Sequence, residues 1–469
     1  NEKKMFHSNK KRNIIFIASI IIGVVALLLW NSRCNMDKFG EQETITYLMI
    51  SVIMLIISVY GVSATCADIL LSIILRSKKI KYHNDNLFVA RTFASKARTM
   101  SFTFGTLSML ILLSLLCLNF SSINKGAYHT ITEETAPYDV DVFDWKQPFD
   151  DLNEYIQVVD EDYTINETIE YNIYAEPNHQ VQNYYEVQFY DTDPVMKLSD
   201  YNKLLKLRNM DTLELKNDEY FIVTSRQLLY RVENNESLKN IQISNKKLHL
   251  KGTDTKSYWA TIATSGKFVV IVPDEYVKDL EISEQHLVID TEEETTAQLE
   301  EKIRKNLEHL LVSVDKEGKK DFEYYRVNVR GTAIEEQNAM TAMLASICLY
   351  IAFILISAVG TILAIQSLSD ATKYKYRYQT LRRLGVNDKS LFKTIRKQLL
   401  ILFGVPVVYS VIASLCMVTS FNNVYQALLE SKFIYLLYFV GSLLIFFFIY
   451  GIYWIATYIG FKRNINEES

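Results

Sequence analysis

Apolar residues gather into six long runs, near residues 13–30, 44–75, 100–121, 339–367, 399–419 and 433–460. A helix needs roughly 20 consecutive apolar residues to cross the hydrocarbon core of a bilayer, so each run predicts a transmembrane helix. The second run is the longest. It must tilt, or continue beyond the bilayer. Between the third and fourth runs the pattern changes. "YYEVQFY" (184–190), "EYFIVTS" (219–225), "KFVVIVP" (267–273) and "HLVID" (286–290) are rich in β-branched and aromatic residues and predict strands. "LSDYNKLLKLRNM" (198–210) and "TTAQLEEKIRKNLEHLLVSV" (295–314) carry helical periodicity. In the latter, Thr295 or Thr296 can cap, and Leu299, Ile303, Leu307 and Leu310 form an apolar stripe that reads as core packing. Residues 333–367 predict one continuous helix that rises from the polar region as a stalk and enters the membrane.

The pattern thus gives an α-helical polytopic membrane protein of six transmembrane helices with a large extracellular mixed α/β domain. Residues 1–85 hold two spans, and 86–121 an elbow helix and the third span. The outer domain with its stalk is 122–338, and 339–469 holds the last three spans.

Charge separates along the same boundaries. Residues 1–120 carry about +8, 121–338 about −19 and 339–469 about +7. Lys/Arg concentrate in 1–12, 76–99 and 368–398, the last with nine of them, while 31–43 and 420–432 are nearly neutral. The positive-inside rule puts the basic segments and both ends of the chain in the cytoplasm and 122–338 outside. The basic groups flank apolar spans, which excludes a nucleic-acid binder. All five cysteines lie outside 122–338, so the outer domain is not held by disulfides. Its acidity and its tyrosines, such as Tyr163, Tyr171, Tyr184 and Tyr325, suit either solubility or the attraction of cationic, amphipathic ligands.

No catalytic signature is present. The chain lacks a G-x-x-x-x-G-K-[ST] phosphate loop, H-E-x-x-H, C-x-x-C and G-x-S-x-G, and its seven histidines are scattered. No catalytic residue, metal ligand or cofactor is assigned.

The informative segment is "YRYQTLRRLGVNDKSLFKTIRKQ", Tyr376–Gln398. Tyr376–Leu384 predicts a short helix closed by Gly385 in the left-handed conformation. Asn387 or Asp388 can cap a second, Lys389–Gln398. Leu381, Leu384, Val386, Leu391 and Ile395 offer apolar anchors, with Arg377, Arg382, Arg383, Lys389 and Lys393 as a basic rim. Such a strip fits a groove in a partner, or the surface of anionic membrane lipids. The hinge favours a partner, because a helix lying on lipid needs no break. A second amphipathic piece, "NLFVARTFASKARTM" (86–100), predicts the elbow helix on the inner leaflet. Gly360 and Ala364, four apart, allow close helix packing, and Pro406 is expected to kink the fifth span. Asp68 is the only acidic residue within a long apolar run.

"NLFVARTFASKARTMSFTFGTLSMLILL", then a large outer domain, then "NAMTAMLASICLYIAFILISAVGTILAIQSLSDATKYKYRYQTLRRLGVNDKSLFKTIRKQ", resembles the FtsX-like/MacB-type ABC transporter permeases. The layout is most similar to the bacitracin-resistance (Bce-type) permeases of Gram-positive bacteria. That resemblance implies that these are the last six of ten spans, in a bacterial plasma membrane. It implies that 373–398 is a coupling segment docking on a separate cytosolic ABC ATPase subunit through Leu381, Arg382, Arg383, Leu384, Gly385, Leu391 and Ile395. Gln379 stands near the place where the family usually carries an acidic residue. The implied function is ATP-driven resistance to antimicrobial peptides. The outer domain would act on a cationic peptide or a lipid-linked cell-wall precursor, with a sensor histidine kinase as a further partner. The same superfamily also supplies lipid, lipoprotein or toxin handling as an alternative, and a receptor-like sensor without an ATPase is a third reading.

Overall fold

The computed structural model describes residues 10–34, 42–76, 86, 88–89, 92–93, 100–145, 149–185, 192–224, 229, 232, 235–244, 246–255, 268–314, 320–323, 326–425 and 433–466. Among these residues, six apolar helices are long enough to cross a membrane. In chain order, α1 (Lys10–Arg33), α2 (Gln42–Arg76) and α3 (Ser101–Thr135) precede a sheet region. That region runs β1 (Val140–Asp144), α4 (Asn153–Asp160), β2 (Ile165–Glu176), α5 (Gln180–Tyr185), β3 (Asp193–Lys197), α6 (Leu198–Leu207), β4 (Glu219–Thr224), β5 (Asn240–Ile243), β6 (Lys246–Asp254), β7 (Phe268–Val272) and β8 (Glu281–Thr291). It ends with α7 (Ala297–Asn306), α8 (Glu308–Leu311), β9 (Val312–Val314), β10 (Lys320–Phe322) and β11 (Val327–Val329). The long helices α9 (Arg330–Arg383), α10 (Asp388–Tyr425) and α11 (Ile434–Asn466) follow. The chain divides into a helical unit, 1–127 with 343–469, and a sheet unit, Tyr128–Ala342.

In the helical unit the core is a stripe-on-stripe contact. Phe104, Leu107, Ile111, Leu115 and Leu118 of α3 meet Ala352, Ile356, Val359 and Leu363 of α9, with Leu402, Phe403 and Val407 of α10 and Phe446 and Tyr450 of α11. Their three- and four-residue spacing keeps one side of each helix buried. The other sides stay apolar and exposed, as at Ile354, Val408 and Phe448, which is the surface a lipid solvent requires. Small residues let backbones approach. A side chain at Gly360 would overlap the Tyr453 ring of α11, while Ala364 is half-buried. The pair α1–α2 closes similarly, with Gly23 against Ser58 and Gly61 against Ser19. Ser58 Oγ donates to the Ser19 carbonyl at 2.6 Å. α10 continues through Pro406 without interruption, and the Ser410 hydroxyl donates to the Pro406 carbonyl at 2.8 Å.

The sheet unit is built on nine strands in the order β11-β1-β8-β2-β3-β7-β4-β6-β5. Side chains alternate across it. Phe143, Tyr171, Met196, Val269 and Val288 face one apolar layer, which α6 covers with Tyr201, Leu204 and Leu205. On the other face two separate layers form. One joins Val142, Leu287, Ile289 and Val329 to α4 and α7; the other joins Tyr174, Val195, Tyr220 and Val270.

Several expectations change. Tyr184 and Tyr185 end the helix α5 rather than starting a strand, and 186–190 lie outside the described residues. The helix expected over 295–314 stops at Asn306, is followed by a single turn Glu308–Leu311, and ends as strand β9. Leu299, Ile303 and Leu307 are buried, as the stripe requires. Of the elbow helix only 86, 88–89, 92–93 and 100 are described; Phe93 packs into the main helical core. The side chain of Asp68 lies outside the described set.

A buried ion cluster ties the beginning of the sheet unit to its end. Arg326, fully buried, donates to Asp150 at 2.8 Å, meets Asp144 at 2.7 Å, and donates to the Phe143 carbonyl at 3.1 Å and the Leu310 carbonyl at 2.7 Å. Burial by itself would lower the guanidinium pKa; the Asp150 hydrogen bond and the charge of Asp144 hold it above its ordinary value. Replacing one partner of such a cluster strands the others. Arg326→Leu is therefore expected to destabilise the sheet unit by about 3–5 kcal/mol. The readout is protease cleavage within 140–329 at a temperature where the wild type resists; wild-type resistance in the variant would contradict the clamp.

Candidate functional site

The hinge at 376–398 differs from two separate short helices. It is the junction of two long ones: α9 runs 54 residues to Arg383, and α10 runs 38 residues from Asp388. Gly385 adopts φ +87°. Its N–H donates to the Arg382 carbonyl at 2.9 Å and the Val386 N–H to the Leu381 carbonyl at 3.1 Å, the paired bonds of a Schellman closure. Asn387 then opens α10. Its side chain accepts from the Lys389 N–H at 3.2 Å, and its carbonyl accepts from Leu391 at 3.1 Å. A tight reversal of direction results, with few residues free to move.

The residues of this segment divide into two sets. Leu391 and Ile395 are buried with Ala371, Tyr378, Leu399, Phe461 and Ile465. They hold α9, α10 and α11 together, and neither side chain reaches the surface of this chain. Leu381 is half-buried against the same cluster. Arg382 is occupied inside the chain: it donates to Asp388 at 2.6 Å and to Asn466 at 2.5 Å. Tyr378 donates to Gln398 at 2.9 Å. The outward set is Tyr376, 74% exposed, and Leu384, 75% exposed, with Arg383, Gly385, Lys389, Lys393 and Arg396 also exposed. The hinge thus carries an exposed leucine and several exposed cations close to it in sequence, on a scaffold held from behind by the buried cluster. Beneath it lies a cavity of ≈ 40 Å³ lined by Thr92, Phe93, Asp370, Tyr378, Gln398, Leu399, Leu402 and Phe461.

The other end of α9 is anchored within the sheet unit, a feature that pattern reading missed. β11 pairs with β1 through Val140↔Val329, and α9 starts at the next residue. The Arg330 N–H donates to the Asp139 carbonyl at 2.9 Å, and its guanidinium donates to Glu133 and, at 3.1 Å, to the Ala136 carbonyl. Gly331 sits where a Cβ would overlap the backbone of Thr295 and Thr296, and its N–H donates to Thr295 Oγ1 at 3.1 Å. The available hint was "VRGTA", a glycine at the start of a helix. Burial raises the Asp139 carboxyl pKa, opposed by the N–H and hydroxyl of Thr291 that donate to it.

Two outcomes follow from these ends. Gly385→Ala has space for the methyl group but not the backbone conformation, at a cost of about 1–2 kcal/mol, and Asn387→Ala loses a cap at a cost of about 1 kcal/mol. Amide exchange in 381–391 is expected to quicken in both, and unchanged exchange would contradict the locked turn. At Asp139 the folded pKa is raised, so its contribution to stability is fully present below the ordinary value of about 4 and is lost as pH rises through the folded value. Asp139→Asn keeps an acceptor for Thr291. The variant is expected to gain melting temperature over the wild type at neutral pH, with the gain shrinking toward pH 4; a constant or reversed gain would contradict the assignment.

A scan against protein-family models finds no match to this chain, and no curated protein matches it.

Proposed function

We propose that the chain is the permease subunit of an ATP-driven transport system, in which a separate ABC ATPase docks on the hinge tip. The reading extends to resistance against antimicrobial peptides at a bacterial plasma membrane. The carrying observation is the hinge tip itself: Leu384, 75% exposed beside Arg383, Lys389 and Lys393, on a turn fixed by Gly385 and Asn387. A water-exposed leucine on a rigid, basic turn suits insertion into a partner's pocket, with the charges steering approach. The resemblance of "LRRLGVNDKSLFKTIRKQ" to the coupling segment of FtsX-like permeases supports the same docking mode. In this reading the sheet unit is the outer domain and α9 carries motion between it and the hinge. The six apolar helices and the acidic composition of 121–338 support that arrangement.

The test pairs binding with phenotype. Leu384→Asp and Arg383→Glu alter exposed positions and leave the buried cluster of Leu391 and Ile395 intact. Each is expected to lose most co-purification with the ATPase expressed from the same host while keeping wild-type detergent stability. Deletion of the gene is expected to sensitise the host to bacitracin or lantibiotic-type peptides, with rescue by the intact gene and not by Leu384→Asp. Retained ATPase binding by both variants would refute the docking surface. Unchanged susceptibility to every peptide would refute the resistance role.

A further inference from the structure

Among the described residues, the long strand β2 is only partly paired. It spans 12 residues, and β8 runs along one edge of it, from Ile165↔Thr291 to Ala175↔Glu281. On its other edge β3 pairs only with Ile173–Glu176. The reason is local: β3 ends at Lys197 and the chain turns at once into α6. Among the described residues, nothing continues the ladder beside Thr168–Asn172.

The hydrogen-bonding direction at that edge follows from one proline. Pro194 stands opposite Ala175 and has no N–H, so the hydrogen-bonded pairs must be Tyr174–Val195 and Glu176–Asp193. Backbone groups alternate between the two edges of a strand. The register shift beside Ile173 and Tyr174 puts its extra residue, Ser283, on β8; β2 itself pairs regularly with β3 from Ile173 to Glu176 and with β8 from Thr168 to Ile173, so its alternation is preserved. It places the N–H and C=O of Thr168 and Glu170 on the open edge. The side chains agree. Ile169 and Tyr171 are buried under α6, whereas Thr168 and Glu170 are exposed on the opposite face. On that face the two apolar layers stop on either side of this strip, one over β1 and β8, the other over β3 and β7.

We propose that the Thr168–Asn172 edge of β2 is a strand-addition site for an extended peptide segment bearing lysine or arginine. Main-chain bonds to Thr168 and Glu170 would supply affinity, and exposed Glu167 and Glu170 the charge preference. A second copy of this chain is a poor occupant, since antiparallel pairing of two such edges brings like charges together around Glu170. The inference deepens the functional reading above and rests on it for the biological source of the peptide; the geometry belongs to the sheet unit alone.

The full-length protein in phosphatidylcholine nanodiscs, which carry no net charge, is titrated with fluorescein-labelled Lys-Thr-Val-Lys-Val-Thr-Lys amide. A second peptide of the same sequence and charge is N-methylated at the alternate residues that would face β2. The parent peptide is expected to bind and to slow amide exchange at Thr168 and Glu170. The N-methylated peptide is expected to bind about tenfold more weakly, as is the parent peptide to Glu170→Lys, with a smaller loss for Glu170→Gln. Unchanged exchange at Ile169 and Tyr171 in the variants without peptide certifies the fold. Equal binding of both peptides, protection confined to other segments, or no binding overturns the proposal. The two readings fail separately. An edge that binds while gene deletion leaves peptide susceptibility unchanged sustains the site against the resistance role. Sensitisation with no edge binding does the reverse.

Discussion

Backbone hydrogen bonding along six helices long and apolar enough to cross a membrane is the constraint on which the rest of this structure depends. A chain that crosses hydrocarbon has to satisfy its N–H and C=O groups internally, at a cost of several kcal/mol for each group that fails. α9 meets the demand with one helix from Arg330 to Arg383, about 80 Å at 1.5 Å per residue. That length exceeds the roughly 30 Å of a bilayer core. The helix therefore brings the same continuous ladder to the edge strand of a sheet at one end and to a tight turn at the other.

Both ends are closed by specific chemistry. At Arg330–Gly331 a guanidinium, two backbone donors and a glycine-sized gap seat the first turn against Asp139, Glu133 and Thr295. At the hinge, Gly385 and Asn387 close one helix and open the next within a few residues, and Arg382 braces the turn against Asp388 and Asn466. A helix seated in this way is suited to move as a body. That is the property the proposed permease needs if an ATPase docked at Leu384 is to act on the sheet unit. The strand-addition site proposed at β2 would give the sheet unit a place to hold an extended chain.

The apolar runs made the six helices legible because each stays apolar for about 20 residues or more, the length that suits a membrane span, and the hinge was legible because a left-handed turn selects glycine. Strands β4, β7 and β8 were readable from β-branched runs that the structure buries on both faces. The division of roles within the hinge was not. Leu384 and Leu391 are the same residue type seven positions apart, and tertiary packing, with Ala371 and Tyr378 of α9 and Phe461 and Ile465 of α11, buries one and leaves the other exposed. The Arg326 cluster was hidden for a similar reason. Asp144, Asp150 and Glu323 are ordinary acidic residues of an acidic domain until strand pairing brings them to one guanidinium. The helix expected over 295–314 failed at Leu307, where periodicity continued while the chain turned toward strand pairing between β9 and β10.

The central claim is that α9 is a rigid rod within the moving parts. It is tested most directly by pulsed electron paramagnetic resonance between spin labels at Met343 and Tyr376, 59% and 74% exposed, on a cysteine-free background. These positions lie on the one helix, separated by about 50 Å at 1.5 Å per residue. The account predicts a single narrow distance distribution near that value, unchanged when the ATPase is bound with ATP or with ADP. A broad distribution, or a shift of several ångströms between the two nucleotides, would mean that α9 bends or unwinds and would contradict the rigid rod.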